Sequence, residues 1–102
     1  MALARGTLTT SLTPVYISVG DTALTNAYFC NITGANVTID IHLASDGTMG
    51  DITNVIYKSI MIPAFNTYVM DTEKIVLSDG DAVYAVASSN NAIVATFSFM
   101  RI

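Results

Sequence analysis

Between Asn36 and Leu43 apolar and polar residues trade places at every step. Val37, Ile39, Ile41 and Leu43 fall on one side, and Asn36, Thr38, Asp40 and His42 fall on the other. A period of two over such a stretch describes a strand with one dry and one wet face, and a helix cannot present it. The final run repeats the rhythm. Ile93, Ala95, Phe97 and Phe99 share one face, opposite Val94, Thr96, Ser98 and Met100. Helical periodicity is nearly absent elsewhere, and β-branched and aromatic residues dominate. Turn-forming residues punctuate the chain at short intervals: Gly20-Asp21, Thr33-Gly34-Ala35-Asn36, Ser45 to Asp51, Pro63-Ala64, Ser78-Asp79-Gly80-Asp81 and Ser88-Ser89-Asn90-Asn91.

This pattern predicts an all-β chain: a single antiparallel β-sandwich of about eight short strands, Greek-key or jelly-roll-like. Its 102 residues fit one domain with one core. Residues 6–102 are expected to form that domain, and residues 1–5 an N-terminal arm, free or laid on a neighbour. Gly6 to Ser11 suits an edge strand.

Charge is unusually sparse. Only 12% of the residues are charged while 52% are hydrophobic, against a usual charged share of about 25%. A surface of Thr, Ser and Asn is one way to stay soluble with so few charges. Burial of part of the apolar excess against other chains is the other, and it is the preferred expectation. The last strand supports it, because Met100 and Ile102 extend its outward face with apolar side chains. Leu3, Arg5, Leu8, Met100 and Ile102 are therefore the candidate contact residues, in an assembly that includes copies of the chain itself. The net charge is −4, and the cations Arg5, Lys58, Lys74 and Arg101 are scattered. No basic run exists to neutralise phosphate, which argues against nucleic acid and anionic lipid as partners. No apolar run is long enough for a spanning helix, and residues 1–5 do not read as a secretory signal. Synthesis in a cytoplasm is the expectation.

Catalytic chemistry finds little to work with. His42 is the sole histidine; its place on the polar side of a strand predicts a surface residue. Cys30, the sole cysteine, sits in an apolar segment where a buried, inert thiol is expected. One Cys and one His cannot complete a zinc site. The acidic loops Asp46 to Asp51 and Asp79-Gly80-Asp81 lack the ligand ladder calcium requires, and Asp-Gly pairs suit tight turns in any case. Asp40, Asp71 and Glu73 show no paired spacing that suggests glycoside chemistry. Asn31-Ile32-Thr33 and Asn36-Val37-Thr38 match the glycosylation sequon, but without a signal peptide they read as chance matches. The expectation is a chain with no enzyme activity, no metal and no cofactor.

Four stretches carry a resemblance: Arg5 to Ser11; Ala27 to Gly34, where a strand ends in an Asn-x-Thr turn; Val37 to Leu43; and Glu73 to Asp81 followed by Val83 to Ser89. In rhythm and turn placement the chain resembles the small β-sandwich virion proteins of tailed bacteriophages. The resemblance implies a structural protein present in many copies in the virion, made in the host cytoplasm. Capsid decoration or cement, in contact with the major capsid protein, is the preferred role. A tail, neck, baseplate or fibre-associated position is an alternative, and so is a carbohydrate-binding adhesion module using exposed Tyr57 or Tyr68.

Overall fold

The computed structural model describes residues 2–48, 54–70 and 75–101. Among them are nine strands and no helix: β1 (Ala2–Thr7), β2 (Thr13–Ile17), β3 (Thr22–Asn31), β4 (Val37–Ala44), β5 (Val55–Ile62), β6 (Thr67–Met70), β7 (Ile75–Leu77), β8 (Ala82–Ala87) and β9 (Ile93–Arg101). They form two sheets. One has the order β1-β9-β3-β6, with β7 also paired to β3, and the other has the order β2-β8-β4-β5.

Every pairing is antiparallel, and the pairs are nested. β4 pairs with β5, β3 with β6 and β7, β2 with β8, and β1 with β9. The chain behaves as one long hairpin folded about the β4–β5 connection and rolled up, so that β9 meets β3 and β8 meets β4. This is the jelly-roll arrangement of the sandwich class, with the sixth of its eight strands divided into β6 and β7. Short connections predict antiparallel neighbours, and antiparallel they are. However, among the described residues β4 and β5 are the only strands adjacent in sequence that pair; β6 and β7 follow one another along the same edge, and the other consecutive strands lie in opposite sheets.

Of the residues expected to face inward on β4 and β9, Val37, Ile39, Ile41, Ile93, Ala95 and Phe97 are buried, while Leu43 and Phe99 are half-buried against the core. Phe29 and Phe97 meet edge to face, with ring centroids 5.9 Å apart, at the centre of the core. Burying each ring stabilises the fold by roughly 1.5–3 kcal/mol.

Three sequence expectations change. Residues 2–5 are not a free arm: β1 pairs with β9 from Ala2↔Phe99 to Thr7↔Val94, because β9 would otherwise leave a row of backbone groups unpaired. Leu8, expected at a contact surface, is 0% exposed and lies in the core, where the chain turns from β1 towards β2. His42 is buried at 5% exposure, with Nδ1 3.0 Å from Asn54 Oδ1. Strand alternation puts it on the outer side of its sheet as predicted, but the chain around Asn54, whose carbonyl accepts the Leu43 N–H, closes over it.

The two ends of the sandwich differ in charge. At one end the loops 8–12, 32–36, 63–66 and 88–92 meet through Ile32 N–H to Ala92 O, Phe65 N–H to Thr33 O and Asn91 N–H to Leu8 O. None of these loops contains a charged residue. Asn31 is the internal clamp of this end. Its Nδ2 donates to the carbonyls of Ala35, Ile62 and Pro63, and its Oδ1 accepts from the Thr33 N–H and hydroxyl. The Asn-x-Thr spacing thus serves an Asx turn, and at 1% exposure Asn31 is closed to glycosylation.

At the opposite end, turns 18–21, 45–48 and 78–81 gather Asp21, Asp46, Asp79 and Asp81. The Gly20 N–H donates to Asp79 Oδ1, the Asp46 N–H to Asp81 Oδ1 and the Ser78 N–H to Asp81 Oδ2. These carboxylates cap turns. Gly80 adopts φ +88°, a conformation that favours glycine, and a Cβ there would displace the exposed Asp46 carboxylate.

Candidate functional site

The register of the β1-β9-β3-β6 sheet fixes which residues stand side by side on its outer face. One row runs Thr7, Val94, Cys30, Thr67, and the next runs Arg5, Thr96, Tyr28, Val69. A third runs Leu3, Ser98, Asn26, and the last Met100, Ala23, Val76. Arg5 is the only charged residue in these four rows. Leu3, Val69, Val76 and Met100 are exposed at 63%, 42%, 65% and 45%. A face with one charge and four exposed apolar side chains is what a protein contact surface presents.

Sequence reasoning places Leu3, Arg5 and Met100 among the contact residues, and the register brings all three onto this face. Leu8 lies beneath it in the core, and Ile102 lies outside the described residues. Val69 and Val76 were missed. Their local sequence marks them only as strand residues; they join the face because β6 and β7 pair with β3, a non-local fact. Cys30, expected to be buried, is free and half-buried on this same face.

Four of the polar side chains here engage one another. Thr25 donates its hydroxyl to Ser98 O, which is 3.0 Å away, and lies 2.9 Å from Ser98 Oγ, while Asn26 Nδ2 donates to the Tyr28 hydroxyl at 3.1 Å. Such internally satisfied groups can enter a dry interface without leaving an orphaned donor.

The outer face of the β2-β8-β4-β5 sheet is built differently. Asp40 and Lys58 form an ion pair at 3.0 Å, and the Ser59 N–H donates to Asp40 Oδ1 at 2.7 Å. Two register shifts in the β4–β5 pairing create this geometry, and Ser59 takes a left-handed conformation at φ 57°. Burial alone would push the Asp40 carboxyl up. The Ser59 amide, the Lys58 hydrogen bond and charge, and the His42 charge outweigh it and hold the carboxyl below its ordinary value. Thr38, Asp40, Ser59, Val86, Ala87 and Ser88 line a depression of about 180 Å³ beside the pair. Both Asp40 oxygens are engaged there, one by Lys58 Nζ and one by the Ser59 amide.

Tyr57 and Tyr68, expected as exposed sugar platforms, are half-buried. Their rings pack edge to face at 6.2 Å and close the sandwich between β5 and β6. No group of three or more His, Cys, Asp or Glu with metal-binding geometry occurs among the described residues. Of the candidate acids, Asp71 and Glu73 lie outside the described residues, as does Asp51. No helix among the described residues is long and apolar enough to cross a membrane. No protein-family model, curated protein or solved structure matches the chain.

Proposed function

We propose that this chain is a non-enzymatic structural protein of a tailed-bacteriophage virion, acting as a decoration or cement protein on the head shell. The observation that carries the reading is the outer face of the β1-β9-β3-β6 sheet: apolar, nearly uncharged and internally hydrogen-bonded. The jelly-roll topology adds support by analogy, since capsid domains use it widely.

The mechanism is mass action. A protein that binds the assembled lattice, and not its loosened form, stabilises the lattice in proportion to its affinity and concentration. The face supplies apolar area for that contact, and the acidic end, unsuited to dry burial, remains towards solvent. Several copies around a symmetry axis would add multivalent grip.

The test is direct. Head shells assembled without the chain are melted with and without the purified protein. The reading expects co-sedimentation with shells and a higher shell Tm; no binding and an unchanged Tm would reject it.

A further inference from the structure

Four edges bound the two sheets, and they are unlike one another. β2 carries Pro14 with a register shift beside it. β5 has two register shifts, the exposed Lys58 and left-handed Ser59. A third edge is divided between β6 and β7, of four and three residues. A missing N–H, a bulge, a charge and a short run each keep an edge from accepting another strand. β1 has none of the first, second or fourth devices. Its six residues pair with β9 without a shift, contain no proline and carry one charge, Arg5.

We infer that β1 is an open docking edge, and that its occupant is β1 of a second copy, antiparallel about a twofold axis at Ala4. Strand addition of this kind draws its affinity from backbone hydrogen bonds and its register from side chains. Centring on Ala4 sets Leu3 of one copy opposite Arg5 of the other, where the arginine stem can cover the exposed leucine. Centring on Arg5 would oppose like charges, and centring on Leu3 would leave fewer residues paired.

The ends of the sandwich select the same arrangement. Ala2 lies towards the acidic end, since it pairs with Phe99, and Thr7 towards the uncharged end, since Leu8 follows it there. Antiparallel pairing sets the acidic end of each copy beside the uncharged end of the other, whereas parallel pairing would set acid beside acid. The chain thus carries its own complement. The paired sheets form one continuous sheet, and their apolar outer faces merge into a surface twice as large. The inference rests on the edges and the ends of the sandwich and needs no particle.

Sedimentation equilibrium of the full chain, with its Leu3→Glu and Leu3→Arg variants, tests it. The expected species has twice the 10.8 kDa chain mass. Leu3→Glu gains two cross-strand ion pairs with Arg5 and tightens the dimer, whereas Leu3→Arg adds like-charge opposition and loosens it, each by about twofold to tenfold. Hydrogen exchange of the β1 amides slows as concentration rises. A monomer throughout would overturn the inference. So would weakening by both substitutions, which indicates an apolar patch contact, or a dimer whose β1 amides stay unprotected. Protection of β1 only when foreign virion proteins are added would overturn the second-copy occupant.

Discussion

The two outer faces of the sandwich arise from the same two-residue rhythm and the same short turns, yet they carry different chemistry. The β1-β9-β3-β6 face sets Leu3, Tyr28, Val69, Val76 and Met100 among hydroxyls, with Arg5 as the one charge among its described residues. The β2-β8-β4-β5 face also exposes apolar groups, Met61 among them, but it centres on the Asp40–Lys58 pair and is broken by bulges. Exposed apolar area alone therefore does not distinguish them. What does is whether that area is free of groups that resist desolvation. A paired charge must be stripped of water to enter an interface, and the cost can exceed the attraction it gains.

The comparison breaks if the two faces respond alike to added charge. Val69→Asp with Val76→Asp should lower affinity for the assembled shell by on the order of a hundredfold, since each places a carboxylate in a dry contact. Met61→Asp on the other face should change affinity less than about twofold, with both variants keeping their fold. Binding titrations on shells would show this, and equal losses would remove the distinction.

A smaller effect checks that the corner shared by the sheets is structural. Asn31→Ala should cost about 2–3 kcal/mol in denaturant unfolding, because it leaves buried carbonyls and the Thr33 N–H without partners. Shell affinity, corrected for the unfolded fraction, should not change.

The smallest effect belongs to the charged face. Asp40→Asn should cost less than about 1 kcal/mol, as expected for a partly exposed ion pair. The sign follows from the direction of the shift. The folded carboxyl titrates below its ordinary value of 3.8, so its contribution is fully present above that pH. It disappears as pH falls through the lower folded value. Wild-type and Asp40→Asn stabilities should differ by a constant amount near neutrality and converge in acid.

Much of this was legible in the sequence, because strand alternation is a local property. The inward faces of Val37 to Ile41 and Ile93 to Phe97 follow from adjacent residues alone, and so do most turns. Leu8 shows where such reading stops. Its neighbours are Thr7 and Thr9, and nothing local says that the chain dives into the core between strands. His42 fails for a related reason: its side of the strand was right, but chain more than ten residues away covers it. Val69 and Val76 were illegible as contact residues because strand order decides their neighbours, and pairing across more than forty residues leaves no local trace.

Two methionines serve as built-in probes of the central claim. Met100 lies on the apolar face and Met61 on the charged one, with exposures of 45% and 58%. Peroxide converts an accessible methionine to its sulfoxide, and peptide mass spectrometry reads each site separately. In the free chain both should oxidise at comparable rates. In the intact particle Met100 should be protected while Met61 continues to react; protection of Met61 with Met100 still reactive would contradict the account.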